Sequence, residues 1–186
     1  PYAKPSKVRE LLQWSKDLVQ VGAGRINPPG LNCTNGVLEI QWNGSTPYHQ
    51  LVPHEPTKHL YIYEPIATYD PQADPVWCDR LLEVLDPPQR EIFLKTIAAS
   101  LDLATVRKYK GRSVRGLLLQ GLGANGKDTL REVVGAMYGY QGLTNATLQD
   151  FLSYDQGRKF PLSRLKTSRI NWASENAAAA SLDQIQ

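Results

Sequence analysis

Cysteine is scarce in this chain of 186 residues: Cys33 and Cys78 stand in unrelated contexts, and no CxxC or clustered Cys/His spacing accompanies them. A disulfide framework and a structural zinc site are therefore not indicated, and two reduced thiols in a cytoplasmic protein are the simpler expectation. Long apolar runs are missing as well. No stretch approaches the roughly 20 residues that cross a bilayer, and the N-terminus lacks the charged and apolar regions of a signal peptide, so no membrane association is expected. Internal repeats and low-complexity tracts are absent apart from the four alanines at 177–180.

Nor does one sign of charge dominate. Lys and Arg number 21 against 18 Asp and Glu, a net charge of +3, which permits a polyanionic partner without requiring one. Hydrophobic residues at 41% and charged residues at 21% exclude a disordered chain and fit a globular one. The length suits one ordinary domain, or two small ones sharing a core. The chain starts at Pro1 without a methionine and stops within "SLDQIQ", which reads as the opening of a helix. A fragment of a longer protein is the expectation.

Periodicity then divides the chain. "PSKVRELLQWSKDLVQVGAG" carries Val8, Leu11, Leu12, Leu18 and Val19 at helical spacing, with Gly22 and Gly24 closing it and "INPPG" breaking the chain. In "GVLEIQW", Leu38, Ile40 and Trp42 alternate with Glu39 and Gln41, as on a half-buried strand, and "HLYIY" reads as a second, short strand. Asp74 with Pro75, and Asp86 with Gln89 three residues on, predict two helix starts. "KYKGRSVR" reads as a basic connector, Thr147 with Asp150 as the cap of a short helix, and "RINWASEN" as a strand ending in a carboxylate.

The most informative stretch is "RGLLLQGLGANGKDTLREVVGAMYG", where an apolar run meets Gly121, Gly123 and Gly126 and then Lys127. Gly121, Gly126 and Lys127 fill three fixed places of the phosphate-binding pattern GxxxxGK[ST]. Glycines let successive backbone N–H groups turn toward phosphate oxygens, a following helix adds its positive end, and the lysine reaches the β- and γ-phosphates. A glycine turn without a ligand would not need both Gly126 and Lys127. The place that normally carries a Mg²⁺-binding hydroxyl holds Asp128. Its carboxylate suits a hard cation but repels a nucleotide unless that cation is present, so Asp128 is expected to take the magnesium role and Thr129 to meet the α-phosphate. A degenerate, weakly binding loop is the alternative.

ATP hydrolysis also needs a base that orients water beside the γ-phosphate. Glu175, at the end of "RINWASEN", is in place for this and for metal binding, with Asn176 a weaker candidate for positioning water. Ser174 stands where P-loop ATPases often have a second, metal-binding Asp. Asp128 can compensate for that loss.

With both motifs in hand, the chain resembles the superfamily 3 helicase module of phage and plasmid primase-helicases. The loop "GLGANGKDT", including Asn125, matches the GxGxNGK form of that family. "LNCTNGVLEI", "LVPHEP", "YDPQADPVWCDRLLEVL" and "IAASL" resemble its N-terminal region, and "LQDFL" through "KFPLSRLKTSRINWASENAAAASLD" resembles the approach to its second acidic motif. The resemblance implies an α/β fold: a truncated P-loop NTPase (AAA+-like) core preceded by a mixed helical and β region. It divides the chain into a helix and linker at 1–30, an N-terminal region at 31–112 and a partial ATPase domain at 113–186. It further implies ATP and Mg²⁺ as cofactors, bound by Gly121, Gly123, Asn125, Gly126, Lys127, Asp128 and Thr129, with Lys127 and Glu175 catalytic and Asp128 and Glu175 on the metal. DNA and a hexameric ring of like subunits are the implied partners in the full-length protein. The family's DNA-contacting hairpin, sensor and arginine finger lie beyond the second acidic motif, so these 186 residues are expected to bind nucleotide without appreciable ATP turnover or unwinding.

Two other functions compete. A small-molecule kinase would need an acceptor site and a lid with paired arginines, and no lid is evident. A non-enzymatic interaction or oligomerisation module with a vestigial nucleotide site is the stronger rival, given Asp128 and Ser174. The basic groups Arg107, Lys108, Lys110, Arg112 and Arg115, and Arg158, Lys159, Arg164, Lys166 and Arg169, read as solvated surface because no aromatic ladder is interleaved with them. His49, His54 and His59 recur every five residues, but Pro53 and Pro56 interrupt the segment and no regular element puts that spacing on one face. His54 reads as a structural hydrogen-bonding residue.

Overall fold

The computed structural model describes residues 5–22, 25–111, 116–120, 126–139, 142–157 and 160–173. It opens with helix α1 (Pro5–Val19), followed by strands β1 (Leu31–Cys33), β2 (Gly36–Asn43) and β3 (Thr46–Val52) in one antiparallel sheet of that order. Helices α2 (Val76–Leu82), α3 (Pro87–Ser100), α4 (Leu103–Lys110) and α5 (Lys127–Tyr138) come next. Strand β4 (Leu143–Thr144), helix α6 (Leu148–Asp155), a 3-10 helix (Phe160–Lys166) and strand β5 (Ile170–Asn171) complete the described order. The short β4 and β5 pair in parallel, Leu143 opposite Ile170.

The local signals explain most of these elements. Asp74 accepts a hydrogen bond from the Val76 amide at 3.0 Å, but the N-cap of α2 is Pro75, one residue later than the sequence predicts. Asp86 and Gln89 form the capping box of α3, with proline in its first turn. Thr147 and Asp150 reciprocate at α6: the Thr147 amide donates to Asp150 Oδ2 at 2.8 Å, and the Asp150 amide to Thr147 Oγ1. Strand β3 was not foreseen. Its signal is the Gly44–Ser45 pair: Asn43 faces Thr46 across this two-residue turn, with Gly44 at the first central position at φ +59°, as in type II′ hairpins.

Three expectations need correction. "HLYIY" is not a strand: only Leu60 forms a bridge, to Ile26. Asn27, at φ +51°, intercepts the ladder, its amide donating to Leu60 O and its Oδ1 accepting from the Ile62 amide. The basic "connector" is in part helical, since Arg107 and Lys108 lie on α4. Finally, the strand expected before the phosphate loop is not formed over 116–120, where no regular structure is assigned and Leu118 is 73% exposed. Among the described residues, it has no neighbouring strand to supply ladder hydrogen bonds.

One buried cluster joins the sheet to the helices. Leu31, Cys33 and Leu38 meet Leu82, Phe93 and Ile97, and then Leu130, Val134 and Tyr138 of α5. The last three recur at every fourth position, so α5 buries a single stripe against β1. Residues from both sides of position 112 share this core. Burial of each such side chain contributes about 1.5–3 kcal/mol. The Tyr138 hydroxyl, inside that stripe, hydrogen-bonds the Ser100 hydroxyl at the end of α3.

The carboxylate of Asp102 is the buried charged group among the described residues. Its Oδ1 accepts from the Thr105 amide, capping α4, while its Oδ2 accepts from Trp42 Nε1 of β2 at 2.8 Å. Asp102→Ala removes a helix cap and leaves a half-buried indole N–H without its acceptor. A loss of about 2–3 kcal/mol is expected, measured as a lowered urea midpoint at unchanged m-value.

Candidate functional site

Gly126 begins the site. It caps α5 at φ +81° and accepts the first helical hydrogen bond from the Leu130 amide at 2.9 Å. A Cβ at that position would lie 3.8 Å from Val84 Cγ1, an ordinary contact. Backbone conformation rather than crowding therefore calls for glycine here. The amides of the first turn of a helix have no carbonyl within the helix to bond, and the helix dipole adds positive potential at that end.

Lys127 and Asp128, the first two residues of α5, line a cavity of about 900 Å³. Its other walls come from α3 and α4, from Gly116 to Leu119, and from Arg169 to Ala173 along β5. The volume lies in the range of small-molecule and cofactor pockets. Thr129 is exposed on the helix and does not line the cavity. Gly121, Gly123, Asn125, Ser174 and Glu175 lie outside the described residues.

What holds β5 against this cavity is now visible. The Asn171 side chain accepts from the Ala146 amide at 2.8 Å and donates to Ala146 O at 2.9 Å. Trp172 packs edge-on against the buried Phe93, with ring centroids 6.4 Å apart. Arg169, expected to be solvated, is half-buried instead. Its guanidinium donates to the carbonyls of Asn27, at 2.7 Å, and Pro28, so the charge ties the linker after α1 to β5. Trp172 and Arg169 are the residues that reading the sequence undervalued. Their roles depend on partners 79 and about 140 positions away along the chain, which no local pattern encodes.

For a triphosphate and its cation, the donor chemistry fits. An ammonium and the amino end of a helix suit phosphate oxygens, and a carboxylate on the first turn suits a hard divalent cation. The described residues contain no group of three His, Cys, Asp or Glu side chains able to hold a metal by themselves. Asp128 is the described carboxylate on the cavity wall, with Glu175 two residues beyond its last described lining residue, Ala173.

The three histidines do not converge. His49 Nε2 meets the Tyr69 hydroxyl and His54 Nε2 meets Asn32 Oδ1, each at 3.0 Å. His59 Nδ1 accepts from the Glu55 amide, which leaves Nε2 to donate to Glu39 Oε1 at 2.8 Å. Glu39 also meets Lys58 Nζ at 2.5 Å. The hydrogen bond from Lys58, followed by that from His59, lowers the Glu39 carboxyl from its usual 4.5 to about 2.

No family model, curated protein or solved structure matches the chain. No helix among the described residues is long and apolar enough to cross a membrane.

Two outcomes are expected from this geometry. Gly126→Ala forces a Cβ into the left-handed region and costs about 1–2 kcal/mol, read as a lowered thermal midpoint. Glu39 is depressed in the folded state, so its contribution is present above the unfolded pKa and is lost as pH falls through the folded one. The stability gap between wild type and Glu39→Gln is therefore expected to close between about pH 5 and pH 2. Lys58 is 57% exposed and screened, which holds the gap near neutral pH to about 1 kcal/mol. Urea titrations of both proteins across that range measure it.

Proposed function

We propose that this chain is the nucleotide-binding part of an ATP-dependent DNA helicase of the phage and plasmid primase-helicase kind, holding Mg–ATP at the amino end of α5. One observation carries this reading. Lys127 and Asp128 share a cavity with residues 169–173, which lead directly to Glu175. Residues 127–128 and 169–173, more than forty positions apart in the sequence, line one cavity, which supports a phosphate loop working beside a hydrolytic acid.

In this reading the amides after Gly126 and the Lys127 ammonium hold the terminal phosphates. Bound magnesium supplies neutralisation of phosphate charge, with Asp128 as its ligand. Glu175 orients the attacking water and accepts its proton. Phe93 and Trp172, anchored in the core, keep the 169–173 segment beside Lys127. The P-loop NTPase fold is part of the proposal. A second reading, an interaction module with a vestigial nucleotide site, draws support from α1, whose Leu11, Leu12 and Trp14 are about 60% exposed.

Calorimetric titration of ATP with and without Mg²⁺ separates the two. Mg-dependent binding is expected, weakened about tenfold or more in Lys127→Ala by loss of a charge-assisted phosphate contact. Asp128→Ser is expected to reduce the dependence on Mg²⁺. Wild-type protein that binds no nucleotide would establish the vestigial reading, and an Asp128→Ser variant with unchanged affinity and Mg²⁺ dependence would remove Asp128 from the metal.

A further inference from the structure

A second cavity, of about 350 Å³, lies between β1 and the segment that follows β3. Asn32, His54, Glu55, His59, Tyr61 and Tyr63 line it beside two prolines, and it shares no lining residue with the cavity of Lys127. Gly139, which ends α5, packs on the same segment. A Cβ there would collide with Glu64 O and touch the Tyr63 ring at 3.4 Å. The second cavity thus adjoins the far end of α5, about 16 Å along the helix from Lys127.

Asn32, buried in β1, sets the chemistry of this wall. Its Nδ2 donates to Tyr63 O at 3.3 Å, which leaves Oδ1 to accept from His54 Nε2 at 3.0 Å. That bond puts the His54 proton on Nε2 and leaves Nδ1 with a lone pair. Tyr63 is 4% exposed, and its hydroxyl is buried with no hydrogen-bond partner among the described residues. The Arg169 guanidinium and the Asn32 backbone N–H lie nearby, but both are donors and cannot take its proton. Burial pushes this phenol above its ordinary pKa, so the proton stays in place. A buried donor without an acceptor is costly, and folded proteins rarely leave one. The other polar rings are engaged: His59 uses both nitrogens, on the Glu55 amide and Glu39, and Tyr61 Oη donates to Pro28 O at 3.2 Å.

We propose that this cavity binds a small neutral carboxamide, whose carbonyl accepts from Tyr63 Oη and whose N–H donates to His54 Nδ1. The inventory of groups rules out simpler choices. A carboxylate brings no proton to His54 and meets the Glu55 carboxylate on the same wall. An ammonium has no lone pair for Tyr63. A carboxamide carries an acceptor and a donor on one planar group, without charge. The Tyr61 ring with Pro56 and Pro65 offers apolar surface to the body of such a molecule. The volume, at the low end for ligand pockets, suits a single ring. This site stands apart from the nucleotide reading and does not depend on it.

Titration of the ¹⁵N-labelled whole chain, followed by amide chemical shifts, tests this. One probe is nicotinamide, a flat ring with a neutral carboxamide. The other is 3-acetylpyridine, in which a methyl ketone keeps the acceptor and removes the N–H. Nicotinamide is expected to shift the amides of Asn32, His54 and Tyr63 while those of Lys127 and Asp128 stay in place. The ketone is expected to bind about three- to tenfold more weakly, as loss of one hydrogen bond does. Tyr63→Phe is expected to weaken nicotinamide by a similar factor. Without any probe it is expected to melt at or above the wild-type temperature, because it removes a buried donor that lacks an acceptor. Equal affinity for the two probes, shifts confined to Lys127 and Asp128, or no shifts at all would overturn the proposal. So would a Tyr63→Phe protein with undiminished nicotinamide affinity, or one that melts lower, since the hydroxyl would then be bonded within the protein. The two-probe comparison uses the wild-type chain alone and decides the matter whether or not the variant folds.

Discussion

The stripe of Leu130, Val134 and Tyr138 packed against Leu31 and Cys33 is the contact on which the rest of this structure depends. It joins the antiparallel sheet to the helix that carries the candidate phosphate residues. Because the stripe repeats every fourth residue, it fixes the rotation of α5 about its axis, and with it the wall onto which Lys127 and Asp128 project. Tyr138, fully buried, adds a hydroxyl bond to Ser100 and so connects the far end of α5 to α3. Burial raises the pKa of that tyrosine above its ordinary value, so it remains a neutral donor.

Around this core, buried and half-buried polar groups act as ties between segments distant in sequence. Asp102 joins β2 to α4, Asn27 joins the linker after α1 to residues 60–62 and to Thr167, and Arg169 joins that linker to β5. Each uses several of its hydrogen-bonding atoms, as burial demands. Their combined effect is positional: the cavity beside α5 has its α3, α4 and β5 walls held by bonds that do not involve a ligand. The site is to this extent preorganised, which lowers the ordering cost of binding.

Charge is distributed to match. The carboxylates of Glu39 and Asp102 are engaged by Lys58 and His59 and by Trp42 and the Thr105 amide. Arg107, Lys108 and Lys127 stand on the faces of α4 and the end of α5. A chain with a net charge of only +3 thus carries adjacent cations on α4, whose own sequence has no carboxylate. Composition alone would not reveal it.

Local chemistry was legible in the sequence wherever a few neighbouring residues decide the outcome. The caps at Asp86 and Thr147 follow from side chains bonding within one turn, and the helix after Gly126 from local backbone conformation. By contrast, the N-cap of α2 is Pro75 rather than Asp74, and β2 buries both Val37 and Leu38 instead of alternating. The hairpin turn at Gly44–Ser45 is an equally local feature. The candidate residues Gly126, Lys127 and Asp128 belong to this group, because a left-handed glycine followed by a helix start is a short-range feature. Tertiary structure alone decided the remainder. "HLYIY" is not a strand because Asn27, more than thirty residues away, takes its hydrogen bonds, and 116–120 has no strand beside it among the described residues. Arg169 left the solvent for two carbonyls of the linker, and Tyr109 found Trp42 sixty-seven positions upstream. Strands need partners, and buried charges and rings need neighbours. Those are properties of the folded chain as a whole, which periodicity within a segment does not contain.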